Sequence, residues 1–497
     1  MSNNSSSEST STPLRIGWAS ADITPPELPV LIAGQFYARV AEGVDDALSA
    51  TALAISSGDE HSVFVSCDVP NITDELKSGV RGRLGKEQNG PDPEKVVLHG
   101  THTHSAPDFR LRYSMSADTD TTGVKLGVRP RTEYLEFLIA RVTETILSAW
   151  KKLAPGKIAY GLDYAVVGRN RRWVDTEGKS TMYGLNSPEA RERFRHIEGY
   201  EDHSLNVLAT YDPAGKLTGV LVNLPSPSQE SEMSFRLSAD FWCETREEMR
   251  RSLGESVFIL PQCSSAGDQT SRLIHGNAAH DRMLRLRDRT QRRDIAYRIA
   301  EAVNRILPVI ADTAESTLVL QHEVRQLKLP ATRITHEQAQ DARELAISFQ
   351  KSYEEEKARL EADPELRSVP HWYRSVTEFF RRANWNRNAV ERYEAQQRGE
   401  QLTRPVEIHV IRLGEIAFAS NPFEYYLDFG MQIKIRSPFL QTFLVQLAGS
   451  GTYVPSPRSV LGGGYGSVPA SNPVGPEGGQ ILADETVEVL RMLASRR

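Results

Sequence analysis

Short apolar runs rich in β-branched residues recur along the whole chain and alternate with segments of helical spacing. "LRIGWASADITPP" (14–26), "SATALAISSG" (49–58), "SVFVSCDV" (62–69), "KIAYGLDYAVVG" (157–168), "SLNVLATYD" (204–212), "LTGVLVNLP" (217–225) and "VFILPQCS" (257–264) all have strand length and stop at glycine, proline or charged residues. "VEIHVIRLGEIAFAS" (406–420) reads as a hairpin turning at Leu413-Gly414-Glu415, and "FLQTFLVQLA" (439–448) as a further strand. Helices are expected in "FWCETREEMRRSLG" (241–254), in one long Arg-rich helix at about 279–306, in a helix starting at "NPFEYYLDFG" (421–430), and from about 478 to the end. Residues 335–400, rich in Glu, Arg, Gln and Ala, read as a pair of exposed helices. Strands and helices in this alternation specify a mixed α/β (α+β) class: one large domain of mixed sheets with flanking helices over 14–497, carrying a helical insertion at about 335–400. No internal repeat stands out.

The bulk properties exclude several function classes. A net charge of −6 on 497 residues, with 25% charged and 39% apolar, implies no nucleic-acid or membrane-surface partner. Residues 1–13 begin "MSNNSSSESTST", which reads as a disordered polar tail with no apolar run of the kind a secretory signal or membrane span needs. Three widely spaced cysteines, Cys67, Cys243 and Cys263, do not make a disulfide framework and suit a reducing compartment, so a cytoplasmic location is the expectation.

"HGTHTHSAPD" (99–108) holds three histidines at the end of an apolar run. If the run continues as a strand, His102 and His104 share one face, a common start for a metal site, and His99 on the opposite face is structural. The short spacing alone leaves ordinary hydrogen bonding equally open. "CSSAGDQTS" (263–271) follows an expected buried strand and offers the Thr270 hydroxyl and the Asp268 carboxylate, or simply a turn. In "NPFE" (421–424), Asn at the N-cap, Pro at N1 and Glu at N3 make Glu424 either a capping-box carboxylate or one held rigidly for a metal. "GTYVPSPRSVLGGGY" (451–465) places Tyr453 and Tyr465 on a glycine-rich loop.

In series, "ADITPP", "VFVSCD", "GTHTHSAPD", "GRNRRW", "LSADF", "SSAGDQT", "NPFE", "TYVP" and "GGGY" resemble the neutral, non-lysosomal ceramidase family across residues 14 to 490. The resemblance implies a catalytic domain that is a zinc-dependent amidohydrolase, using metal-activated water on the amide of an N-acyl compound, with about one zinc per chain. It assigns zinc ligation to His102, Glu424 and Tyr453. It makes His104 a histidine behind the ligands and an acid/base group, places Arg171 near the substrate, and puts Tyr465 on the pocket wall. Thr270 falls where the family has a serine hydroxyl at the scissile amide, a role that the added methyl and stiffer χ1 leave open.

One ligand of that pattern is missing. The family's second ligating histidine falls in "VNLPSPSQESE" (222–232), where this chain has Ser226-Pro227. The replacements in reach of the pattern are Cys243 first, then Asp240, Gln229, Glu230 and His203; equally, Cys243 is a small buried residue and Asp240 a helix cap. The family's extra C-terminal β-sandwich domain has no counterpart, and nothing reads as a membrane-docking stretch, although the 335–400 segment with "HWYRSVTEFF" can cap a pocket. The expected partner is therefore a small-molecule or lipid-like amide. Two other outcomes stand beside it: a metal-dependent hydrolase of an ester, lactone or glycosidic bond, and a non-catalytic ligand-binding protein.

Overall fold

The computed structural model describes residues 12–111 and 121–496. Most of the expected polar tail lies outside that span; Thr12 and Pro13 are tied to the body, Thr12 through a hydrogen bond with Ser57 (2.8 Å) and Pro13 through a bridge to Thr317.

The order strand, strand, strand, helix, strand, helix occurs three times. The first round is Leu14–Asp22, Ser49–Ser57, Glu60–Cys67, helix Asp74–Leu84, Val96–Gly100 and helix Arg131–Lys151. The second is Lys157–Tyr164, Ser204–Tyr211, Leu217–Leu224, helix Phe241–Leu253, Phe258–Cys263 and helix Gln291–Ile310. The third is Leu320–Pro330, Thr403–Leu413, Ile416–Ser420, helix Leu427–Arg436, Gln441–Val445 and helix Pro476–Ser495. In every round the first three strands are antiparallel neighbours, and the fourth returns through its helix to lie parallel to the third. Strands one, three and four of each sheet thus point the same way, and the loops leaving them open at the same end of their sheet.

Period-two alternation explains how the three sheets share one core. Leu14, Ile16, Trp18, Leu53, Phe64 and Val97 of the first sheet meet Leu208, Leu221 and Leu260 of the second and Ile411, Phe418 and Phe443 of the third in a single central cluster. The alternate residues face outward under the helices: Ala50, Ala52, Val63, Val65 and Leu98 beneath the first pair, Val207, Val220, Val222 and Ile259 beneath the second, Ile408, Val410, Ala417 and Leu444 beneath the third. Both faces of every sheet are therefore buried, which is why the sequence shows near-continuous apolar runs rather than clean alternation. Gly17 marks the closest approach of a helix: a Cβ there would sit 2.0 Å from the Ala149 carbonyl oxygen.

The mixed α/β class holds, as does the helical pair at 335–400, with two differences in detail. The 335–400 segment is the helical hairpin His336–Ala362 and Arg374–Gln397, and it is the first connection of the third sheet. The long helix expected at 279–306 is two, Asn277–Arg287 and Gln291–Ile310. Asp288 takes a left-handed φ of 50° that closes the first, and the Thr290 side chain accepts from the Arg293 amide to start the second. "NPFE" does not open a helix. Asn421 Oδ1 accepts the Phe423 amide, Glu424–Tyr425 pair as a short parallel strand with Tyr453–Val454, and the helix begins at Leu427, whose amide donates to Asp268 Oδ1 (3.0 Å). No described helix is long and apolar enough to cross a membrane.

Candidate active site

The residues singled out from the sequence come from loops at the same end of all three sheets. His102 and His104 follow the fourth strand of the first sheet, Thr270 and Tyr453 follow the fourth strands of the second and third, Glu424 follows a third strand, and Arg171 a first. Fixed strand ends thus aim side chains distant in sequence at one place.

His102 does not sit on a strand. Val96–Gly100 ends before it, and His102 takes a left-handed φ of 64°, so the expectation that "HTH" shares a strand face is corrected. The turn, and not strand alternation, brings the two rings together, with centroids 4.8 Å apart. His102 Nδ1 lies 2.7 Å from the Pro70 carbonyl oxygen, which can only accept, so Nδ1 carries the proton. Nε2 then faces Glu424 Oε2 at 3.2 Å and His104 Nε2 at 3.4 Å. His104 Nδ1 is held by Glu232 Oε2 at 3.0 Å, and its Nε2 accepts from the Gln229 amide nitrogen at 3.0 Å. Lone pairs turned on one another in this way are stable only around positive charge, a proton on His102 or a metal ion.

Arg171 supplies fixed charge to the same place. One guanidinium nitrogen donates to the Gly267 carbonyl (2.8 Å) and the Tyr453 hydroxyl (3.2 Å) and lies 3.7 Å from Glu424 Oε2. The other donates to the Tyr183 hydroxyl (3.0 Å) and more loosely to Gln229 Oε1 (3.4 Å). Burial opposes ionisation of Glu424, but His102 and Arg171 outweigh it and hold its carboxyl below the usual range. For Glu232, burial is likewise outweighed, here by His104 and Arg272, and the carboxyl is held down at about 2. Burial, with a smaller push from His102, lowers His104 against the opposing pull of Glu232 and Glu424, and burial by itself holds the unpartnered His99 down to about 3, so His99 is a neutral core residue.

Thr270 is buried, and its Oγ1 lies 3.4 Å from the Tyr183 hydroxyl. The Tyr465 ring stands 5.5 Å from that of Tyr453 and continues outward to Phe36 (5.9 Å) and to Trp385 (6.0 Å) of the helical hairpin, which therefore does form part of the site's wall. Asp268 turns away from the site: Oδ1 takes the Leu427 amide and Oδ2 the Asn170 side chain (3.0 Å).

The structure separates the replacement ligands. Asp240 caps its helix, accepting from Phe241 and Ser231 amides; Cys243 faces Glu247 (3.8 Å) on an outer helix; His203 pairs with Glu201 (3.3 Å); Glu230 accepts from Ser271. Only Gln229 of these touches Arg171 and His104. Two further site residues, Tyr183 and Glu232, escaped the sequence reading.

Zinc takes nitrogen and oxygen donors at ~2.0–2.1 Å, which puts two tetrahedral ligand atoms about 3.3 Å apart. The His102–Glu424 and His102–His104 spacings match that edge. Among the described residues no three His, Cys, Asp or Glu side chains are arranged to hold a metal ion. His102 and Glu424 are thus spaced as two ligands of one ion would be, and the Tyr453 hydroxyl shares an Arg171 nitrogen with Glu424.

Gly34 supports this geometry by close packing on His104. Its φ is 98°, and a Cβ there would lie 2.5 Å from His104 Cβ and Cγ. Gly34→Ala is expected to lower stability by about 1–3 kcal/mol and to displace His104; a melting curve indistinguishable from wild type would contradict this packing.

The first part of the chain and the fold of the whole are both similar to known proteins. Residues 14–222 match the family model described as neutral/alkaline non-lysosomal ceramidase, N-terminal. Solved structures share the fold, among them two ceramidases. One is neutral ceramidase from Pseudomonas aeruginosa, at 18% identity and a TM-score of 0.67, covering 98% of this chain and 75% of that one. The other is described as ceramidase complexed with C2, at 16% identity and a TM-score of 0.66, covering 98% and 76%. No curated protein matches the sequence.

Proposed function

We propose that this protein is a zinc-dependent hydrolase that cleaves the amide bond of an N-acyl compound with water. The observation that carries this reading is His102 itself, with Nδ1 committed to Pro70 and Nε2 turned 3.2 Å from Glu424, inside the segment that matches the ceramidase family model. His102, Glu424 and Tyr453 would hold the ion, which when bound lowers the pKa of water to about 7 and polarises a carbonyl.

The chain's own residues supply the remainder. Arg171, charged and with donors aimed at the Tyr453 side of the site, stabilises negative charge that develops on the carbonyl oxygen. His104, with Nε2 as acceptor, takes a proton from the attacking water and returns it to the leaving nitrogen. Thr270, linked to Arg171 through Tyr183, donates to the substrate amide, and Tyr465 lines the entrance with Phe36 and Trp385. That wall is apolar and aromatic and accepts the acyl part of a lipid-like amide.

The test is a matched pair of substrates. With one acyl group carried on an amide and on an ester, zinc-loaded protein is expected to hydrolyse the amide with a kcat/KM at least ~10-fold above that of the same protein stripped of metal. Turnover of the ester alone would move the assignment to another bond. Stoichiometric binding of both without turnover would make the protein a ligand-binding member, a reading favoured by Ser226-Pro227 standing where a ligating histidine is expected.

A further inference from the structure

We propose that Glu232 is the positioning residue that fixes the ring of His104 and turns its Nε2 into this site, with Arg272 and Arg39 holding Glu232 in place. The inference rests on the hydrolase reading above.

An imidazole is useful in proton transfer only if the right nitrogen carries the lone pair. Glu232 Oε2, 3.0 Å from His104 Nδ1, is a carboxylate oxygen and accepts, so it places the ring proton on Nδ1 and the lone pair on Nε2. Nε2 is the atom that faces inward, to Gln229 and His102. His99 shows what the same segment looks like without such a partner. It is fully buried and neither ring nitrogen has a hydrogen bond, so nothing selects its tautomer.

Glu232 is fixed from two sides. Its other oxygen, Oε1, receives the Arg272 guanidinium at 2.8 Å, so both oxygens of a carboxylate that is 9% exposed are occupied. Its backbone carbonyl accepts from Arg39 (2.6 Å), a side chain with no solvent exposure that also donates to the backbone carbonyl of His104. Arg39 thereby ties the main chains of Glu232 and His104 into one unit. A purely structural ion pair needs only Glu232 and Arg272; the second oxygen on His104 Nδ1 is what gives the pair a use.

The step balances without Glu232 changing charge. The water oxygen bonds to the amide carbon while one water proton passes to His104 Nε2, leaving an imidazolium beside the Glu232 carboxylate. The C–N bond then breaks, the Nε2 proton goes to the departing nitrogen, and a carboxylic acid and an amine leave.

The experiment uses the full-length, zinc-loaded protein labelled with 15N-histidine, the His104 signal being assigned by His104→Asn. Wild type is expected to show the Nδ1–H tautomer. Glu232→Ala is expected to lose it and to lower kcat by about 10²-fold with KM within ~3-fold, while Glu232→Gln, which keeps an acceptor oxygen, restores the tautomer and part of kcat. An unchanged His104 tautomer in a folded Glu232→Ala overturns the proposal, as does a rise in KM with kcat intact. Should Glu232→Ala not fold, Glu232→Gln carries the test alone: a kcat equal to wild type overturns it. A wild type that turns over neither amide nor ester defeats the hydrolase reading instead, and the tautomer measurement keeps the two failures apart.

Discussion

His102→Ala and Glu424→Gln are each expected to abolish stoichiometric zinc binding and to lower amide hydrolysis by at least about 10³-fold in kcat/KM. Each removes one of two firm donors whose spacing is 3.2 Å, and the remaining phenol of Tyr453 is bound to Arg171 and is a poor ligand alone. The two variants differ in what they leave behind. His102→Ala frees the Pro70 carbonyl but leaves Glu424 beside Arg171. Glu424→Gln keeps the side-chain shape and removes the charge that faces both His102 and Arg171, so Arg171 is left without a carboxylate within 4 Å among the described residues. Elemental analysis of the purified proteins, with a melting curve taken at increasing zinc, checks the result: wild type gains stability with zinc as a ligand bound only to the folded state must, and the variants do not. Retention of one zinc by either variant would remove that residue from the site.

The element types were largely legible in the sequence and their organisation was not. Apolar strand-length runs such as "VFILPQCS" and "LTGVLVNLP" became the strands Phe258–Cys263 and Leu217–Leu224 because burial on both faces leaves few polar residues to obscure them. The threefold recurrence escaped because it lies in direction and connectivity, which residue patterns do not record. The first connection of each sheet, for example, carries three two-residue strands in the first round, a small three-stranded sheet in the second and a helical hairpin in the third. "NPFE" misled for a local reason. Its capping pattern is real, but Asn421 spends its side chain on Phe423 in a turn, and the helix cap comes from Asp268, more than a hundred residues earlier.

For the candidate site, residues carried by a distinctive motif could be named from the sequence, and those carried by a contact could not. His102, His104, Glu424, Arg171 and Tyr453 stood in quotable patterns and converge. Glu232 sat in "SQESE" as one carboxylate among several, and only the fold shows that it faces His104 while Glu230 faces Ser271. Cys243 was attractive as a soft ligand one turn into a helix, yet that helix packs on the outer side of the second sheet, and burial together with Asp46, Glu244 and Glu247 pushes its thiol up to about 12, the opposite of what a thiolate ligand needs.

Glu198→Ala is expected to destabilise the protein by about 3–5 kcal/mol, the cost of leaving one member of a buried ion pair alone. Its partner Arg172 has a side chain with no solvent exposure and pairs with the Glu198 carboxylate. The same guanidinium donates to the carbonyls of Tyr465 and Gly463 (both 2.6 Å) and to Ser467 Oγ (3.2 Å), pinning the glycine-rich turn that carries Tyr465 to the second sheet's loops. Removing Glu198 therefore strands a charge at the root of the entrance wall. Arg172→Lys tests the same contact from the other side: an ammonium is a point charge and cannot span Glu198 and two carbonyls as a planar fork does. It is expected to cost less stability than Glu198→Ala but to raise KM several-fold, because Tyr465 loses its fixed position against Tyr453 while His102, Glu424 and Arg171 keep theirs. Urea unfolding of both variants and steady-state hydrolysis by Arg172→Lys measure this. A Glu198→Ala protein within 1 kcal/mol of wild type would mean that the glycine-rich turn is held by its own backbone, through bonds such as Ser467 to Gly464, and that the buried pair is dispensable to the wall.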